Sequence, residues 1–200
     1  MVRAYILAGG QSTRFGSNKA RVVVGRIPLI LKLADEMSLS GLQVAAVAQH
    51  AWDFQDLPIR TITDARPNAG PLAGVQAALM DTQSVGDSYC WITSCDMLEW
   101  NPRWHEIFVS MRRAAQKECL ACVLKPSNTP SAFFLPFPGV YGVDCLSYIE
   151  TIFREEKPSM FALHQAIESQ VFELGIEEAS LPKTFNTAEE LSRLLKSSRS

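Results

Sequence analysis

The chain has little of what marks the specialised classes of protein. Its five cysteines, Cys90, Cys95, Cys119, Cys122 and Cys145, are odd in number and irregularly spaced, which argues against a disulfide framework. No apolar stretch approaches the roughly 20 residues that span a bilayer, and the run 2–8 is too short for the core of a secretory leader. A cytoplasmic location is therefore expected. Charge of one sign is also missing: 19 basic residues against 21 acidic ones leave a net charge of -2, so nothing draws the chain as a whole to nucleic acid or an anionic membrane. An anionic ligand would have to be held by a local cluster. The three histidines, His50, His105 and His164, are scattered and offer no ligand spacing. There is no internal repeat and no low-complexity linker. At 200 residues, 47% hydrophobic and 20% charged, one domain over 1–200 is expected, with a polar tail at 196–200 that frays.

What is present is concentrated near the start. An apolar run leads into Leu7-Ala8-Gly9-Gly10-Gln11-Ser12-Thr13-Arg14-Phe15-Gly16-Ser17-Asn18-Lys19, which reads as a strand emptying into a phosphate loop. Its glycines let backbone N–H groups approach an anion, and Arg14 and Lys19 add positive charge. It is not a Walker loop, because Gly16 is separated from Lys19 and Ala20 follows the lysine, and it is not the Gly-x-Gly-x-x-Gly dinucleotide turn.

Downstream, short β-like runs alternate with helical periodicity, the pattern of an α/β layered domain. Strands are expected at 3–8, 42–48, 59–63, 89–93, 120–124, 132–135 and 171–174. Helices are expected at 28–39, 71–80, 102–116, 144–154, 160–169 and 188–195. Pro28 and Pro71 would sit in first turns, where a missing N–H costs nothing. Parallel strands joined by right-handed crossovers place Gly9, Asp64 and Asp96 together on the carboxyl edge of the sheet. The segment Lys125-Pro-Ser-Asn-Thr-Pro130 is the richest loop candidate for docking a second substrate. Cys119-x-x-Cys122 invites a metal or redox reading. With an apolar setting, no second pair and no adjacent histidine, core cysteines are the better one.

The loop pattern resembles that of the nucleotidyltransferases that join a nucleoside monophosphate to a phosphorylated acceptor, and most closely that of the molybdenum cofactor guanylyltransferases. Asp64 with Gly70-Pro71-Leu72-Ala73-Gly74, then Ser94-Cys95-Asp96, then Asn186-Thr187-Ala188-Glu189-Glu190-Leu191 follow in that family's order. The resemblance implies a three-layer, doubly wound α/β fold of the nucleotide-diphospho-sugar transferase type, Rossmann-like, mainly parallel with one antiparallel strand. It implies a Mg²⁺-dependent transfer of GMP from GTP to molybdopterin or molybdenum cofactor, by a monomer or weak oligomer that meets other molybdenum-cofactor proteins. The nucleotide would be held by Leu7, Ala8, Gly9, Gly10, Lys19, Asp64, Gly70 and Asp96, and Asn186 would lie on the acceptor side.

The chemistry gives these residues roles. Asp96 is the expected Mg²⁺ ligand, since such sites use one or two carboxylates plus phosphate oxygens; its alternative is a strand-end turn or helix cap. Lys19 would neutralise the phosphates and Arg14 would grip them bidentately, unless they are a solvated surface lysine and a surface ion pair. Asp64 can accept from guanine N1–H and N2–H₂, or close an Asx turn. Asn186 could equally be the N-cap of the last helix.

Five departures from the family pattern stand out. Asn18 replaces the usual Asp before the loop lysine, Leu98 replaces a Pro, and Thr184 replaces the first Asn of Asn-x-Asn-Thr. Gln49 stands where a polar Asn often follows the second strand, and 155–159 lacks paired arginines. The competing readings are a nucleotidyltransferase for another base or acceptor, and a GTP-binding module without catalysis. CTP is disfavoured by Gly-Pro-Leu-Ala-Gly, and a glycosyltransferase by the lack of Asp-x-Asp.

Overall fold

The structure, a computed structural model, describes residues 2–9, 15, 18–64, 66–114, 119–126, 135–154, 158–167, 170–174 and 181–197. Strand β1 (Val2–Leu7) lies near the middle of a seven-stranded sheet. Ala4 and Ile6 point to one face and Tyr5 to the other, all three fully buried. A strand buried on both faces needs helices on both. One face is covered by α1 (Leu29–Leu39), α3 (Pro102–Ala114) and α6 (Ala188–Ser197); the other by α2 (Pro71–Ser84), α4 (Cys145–Arg154) and α5 (Met160–Ala166). The first layer is rich in aromatics: Trp91, Trp100, Trp104 and Phe108 meet edge to face at centroid distances of 4.4 to 5.4 Å, a geometry the ring quadrupole favours.

The remaining strands are β4 (Leu42–Ala48), β5 (Arg60–Thr63), β6 (Tyr89–Ser94), β7 (Ala121–Pro126), β8 (Leu135–Gly142) and β9 (Gln170–Leu174), in spatial order β5-β4-β1-β6-β8-β7-β9. A two-stranded hairpin, β2 (Val23–Val24) with β3 (Ile27–Pro28), stands apart. β1, β4, β5 and β6 are parallel, β7 and β9 are parallel, and β8 runs against both of its neighbours. The three-layer, mainly parallel sheet with one antiparallel strand is as expected.

Three expectations need correction. The strand expected at 132–135 is β8, which begins at Leu135; residues 132–134 lie outside the described set. β8 carries Pro136, Pro138 and Gly139, and the β7–β8 register jumps from Val123↔Gly139 to Leu124↔Leu135. The prolines fall in that bulge, where no ladder N–H is required. Pro28 does not open the first turn of α1. It is the N-cap residue and pairs with Val23 in the hairpin, which turns at Gly25 with φ +70°. Lys125 and Pro126 close β7 instead of opening a loop. In addition, α2 runs four residues further than its periodicity suggested: Thr82 is buried with its hydroxyl on the Ala78 carbonyl, and Asp81 pairs with Arg60 at 2.6 Å. No helix among the described residues is long and apolar enough to cross a membrane.

Candidate active site

The carboxyl ends of β1, β4, β5 and β6 share one edge, where two carboxylates stand in different surroundings. The first is Asp96, just past β6. Its Oδ1 accepts from the Ser94 hydroxyl, and its carbonyl accepts from Phe185 N–H at 3.0 Å. That bond belongs to a short antiparallel pairing in which Leu98 N–H donates to Lys183 O at 2.8 Å and Met97 bridges Thr184. The departure at Leu98 has a physical account, because a proline there could not donate that bond. Thr184 sits opposite Met97 between those two bonds.

The paired segment delivers Asn186 to Lys19. Lys19 opens a short 3-10 turn (Lys19–Arg21) capped by Asn18, whose Oδ1 accepts from Ala20 N–H at 3.0 Å. An Asp in that position would act through the same oxygen, so Asn18 preserves the cap. Lys19 Nζ donates to Asn186 Oδ1 at 2.9 Å and to Phe185 O at 3.2 Å, and lies 5.8 Å from the Phe185 ring centroid. The solvated-surface reading of Lys19 is set aside by these contacts. Phe185 is fully buried and also receives the ring of Phe15 at 5.7 Å.

Asn186 is not the cap of α6. Thr187 is, its hydroxyl accepting from Glu190 N–H at 3.2 Å, while Glu190 Oε2 accepts from the N–H groups of Asn186 at 2.5 Å and Thr187 at 3.2 Å. This reciprocal capping box satisfies the helix start and leaves the Asn186 amide to Lys19.

The second carboxylate is Asp64, just past β5, its N–H still bonded to Ala48 O at 2.9 Å. No N–H among the described residues closes an Asx turn on it. It is pressed between two glycines: a Cβ on Gly9 would stand 2.7 Å from Asp64 Oδ2, and one on Gly74 would stand 3.2 Å from Oδ1 and 3.0 Å from the Leu7 side chain. No donor among the described residues compensates, and burial pushes this carboxyl up to about 6. Gly70, by contrast, is uncrowded; its φ of +79° is what requires glycine, and it leaves the start of α2 without a side-chain cap. The exposed start of α2 thus faces the same edge as Asp64 and Gly9. Leu7 and Ala8 extend the edge through backbone bonds, Cys95 N–H to Leu7 O at 3.1 Å and Ala8 N–H to Val47 O at 2.8 Å.

Gly10 and Arg14, both expected at the phosphates, lie outside the described residues, as do 127–130 and 155–157. Of the other expected site residues, the structure gathers Lys19, Asp96 and Asn186 in one cluster, and Leu7, Gly9 and Asp64 in a neighbouring pocket.

Two contributors, Phe185 and Arg66, were missed from sequence, and Gln49 was noted there only as a departure from the family pattern. Phe185 joins Lys19 to Asp96, with no signal beyond standing next to Asn186. Gln49 N lies 3.2 Å from the position of a Gly9 Cβ, and its side-chain amide donates to Asn68 Oδ1 at 2.8 Å; the positive φ of Asn68 is typical for that residue type. Arg66 tethers the Asp64 loop, donating to Gln76 Oε1 at 3.2 Å and Glu150 Oε2 at 3.1 Å over the Phe153 ring, and Gln76 bonds Glu150 in turn.

The fold agrees with that of known proteins the chain resembles. Residues 4–170 match the model of the MobA-like NTP transferase domain. The "Probable molybdenum cofactor guanylyltransferase" of Opitutus terrae is 28% identical over 156 residues, 78% of this chain and 73% of its own length. The protein of the same name in Pyrococcus furiosus is 34% identical over 154 residues, 75% and 72% of the two chains. A solved structure of molybdopterin-guanine dinucleotide biosynthesis protein A from Archaeoglobus fulgidus superposes with a TM-score of 0.80 over 99% of both chains at 19% identity, a likeness of fold. With the family model spanning most of the sheet and both carboxylates, this chain is a nucleotidyltransferase and belongs to the MobA-like NTP transferase domain family.

Proposed function

We propose that the chain transfers GMP from GTP to the terminal phosphate of molybdopterin or molybdenum cofactor and releases pyrophosphate. The observation that carries this reading is the cluster of Lys19, Asp96 and Asn186, in which a cation from the 3-10 turn and a carboxylate from the end of β6 are joined by the Phe185 segment. The named relatives supply the acceptor class.

The donors available to a metal are hard oxygens, the Asp96 carboxylate and the Asn186 amide oxygen, and the described residues contain no cluster of three His, Cys, Asp or Glu side chains. Such a set suits Mg²⁺ that takes its other ligands from phosphate and water. When bound, Mg²⁺ would polarise the α-phosphate and neutralise triphosphate charge. Asp96 would hold it, oriented by Ser94. Lys19, already aimed by Asn186 and Phe185, would stabilise charge on the departing pyrophosphate. Arg14 would hold the outer phosphates, and backbone N–H groups at Leu7 to Gly10 would line the nucleotide.

Asp64 would accept from guanine N1–H and N2–H₂, in a pocket kept open by Gly9 and Gly74 beside Gly70. Those two donors would compensate the unpaired carboxylate. Asn186 would adjoin the acceptor. No general base is needed, because the second pKa of a phosphate monoester lies near 6 and the attacking oxygen is already largely ionised at neutral pH.

Pyrophosphate release measured with each of the four NTPs, with and without molybdopterin, tests the proposal. Release is expected only with GTP, Mg²⁺ and the pterin together. Equal turnover of CTP, or activity with a sugar phosphate alone, would assign the chain to another base or acceptor. GTP binding without any release would make it a binding module.

A further inference from the structure

We propose that Cys119 and Cys122 form a reversible dithiol/disulfide couple whose oxidant is a small disulfide of the glutathione class. The two Sγ atoms are 3.2 Å apart, and neither is in a disulfide. In a tetrahedral zinc site, with Zn–S about 2.3 Å, two sulfurs would stand about 3.8 Å apart. A disulfide needs about 2.05 Å, a closure of about 1.1 Å. The pair is thus already tighter than a metal would hold it, and no third ligand joins it among the described residues.

The backbone between the two cysteines is held at Leu120 by two bonds. Leu120 sits in a bend, and its carbonyl accepts from Gly142 N–H at 2.8 Å and from the Cys145 thiol at 3.3 Å. Cys119 Sγ donates to Ala121 O at 3.0 Å. Closing the bond costs the Cys119 thiol its bond to Ala121 O and leaves the two bonds at Leu120 in place. Exposure divides the labour: Cys119 is partly exposed, whereas Cys122 is 4% exposed. The accessible sulfur is the one an external oxidant reaches, and the buried one resolves the product.

The Cys119 thiolate attacks one sulfur of glutathione disulfide, breaking that S–S bond; one glutathione leaves as thiol and a mixed disulfide forms. Cys122 sulfur, giving up its proton, then attacks Sγ of Cys119, and the second glutathione leaves as thiol. The protein loses two electrons and two protons, and glutathione disulfide gains them. β7 runs parallel to β6, so the pair sits at the edge of the sheet opposite Asp96. The couple is consequently read by thiol chemistry and not by turnover.

The full-length folded protein, treated with glutathione disulfide and then unfolded for thiol counting and mass-spectrometric mapping, tests this. An internal Cys119 to Cys122 bond is expected, removing both of their thiols, and dithiothreitol should restore all five thiols of the chain. C122S should instead trap glutathione on Cys119, and C119S should leave Cys122 a free thiol. Unreacted Cys119 and Cys122, a lasting glutathione adduct in the wild type, or pairing of either cysteine with Cys90, Cys95 or Cys145 would overturn the proposal. So would stoichiometric zinc that protects both thiols from alkylation, which would make the pair a metal site.

Discussion

Asp96 and Asp64 stand at the same edge of the same sheet, each just beyond a parallel strand, yet their surroundings are opposite. Asp96 is built into a network: Ser94 donates to its carboxylate, Phe185 to its carbonyl, and the segment that follows Phe185 fixes Lys19. Asp64 is enclosed by the backbone of Gly9 and Gly74, with burial alone acting on its proton. A network position is built to hold charge in place; a lined but unpaired position stores a cost that a ligand with two N–H donors can relieve. The first suits metal and phosphate, the second a base edge.

The comparison breaks most sharply at Asp96. Asp96→Asn keeps the volume and the bond from Ser94 but removes the charge, so turnover with GTP should fall by about 10²-fold or more while the thermal midpoint stays within a few degrees. Near wild-type turnover across a Mg²⁺ titration would take Asp96 out of the site.

Lys19→Ala should cost about 10²-fold in kcat, typical of losing one preorganised electrostatic group, with a smaller effect on GTP affinity. Because Lys19 also bonds Asn186, acceptor KM should rise too. Steady-state kinetics with both substrates varied would show it, and an unchanged kcat would return Lys19 to a structural role.

Asp64→Asn should move function and stability in opposite directions. The amide can accept one bond but not two, so the preference for GTP over ITP, which lacks the N2 donor, should shrink by about 1 to 3 kcal/mol. A constant ratio of kcat/KM values would rule out base reading. The folded-state carboxyl, at about 6, lies above the ordinary value near 3.9. The folded chain therefore binds the extra proton between those limits, and wild-type stability falls as pH rises through the window. The mutant lacks that penalty. It should be more stable by about 1 to 2 kcal/mol above pH 6, after allowance for the partial exposure of the group, with the advantage gone near pH 4. Urea titrations across pH 4 to 7.5 would measure it.

The smallest effect separates neighbours. Thr187→Ala removes the cap of α6 and should cost about 1 kcal/mol of stability, while leaving kcat within about twofold once folded, because the Asn186 amide that meets Lys19 is not the cap. A large loss of kcat without a loss of stability would show the two residues acting as one unit.

Much of the fold was legible because it is written in local patterns. The run at Leu42–Ala48 was read with its observed bounds, and Pro71 opens α2 as its N1 character requires. β8 was legible only at its first residue: the strand expected at 132–135 runs Leu135–Gly142, its prolines accommodated in a bulge that depends on β7. In the site, Gly9, Asp64 and Asp96 could be placed on one edge because parallel crossovers allow no other arrangement. Phe185, Asn68 and the Arg66, Gln76 and Glu150 triangle could not, since each acts on a residue distant in sequence and carries no motif.

The sequence by itself determined the alternation of strand and helix, the loop that begins at Leu7, and the family resemblance, because periodicity and turn chemistry are properties of neighbouring residues. Only the tertiary structure decided that Thr187 and not Asn186 caps α6, that Leu98 needs its N–H, and that Asp64 is packed between two glycines. Each of these depends on a partner brought up from elsewhere in the chain, and which partner arrives is settled by packing.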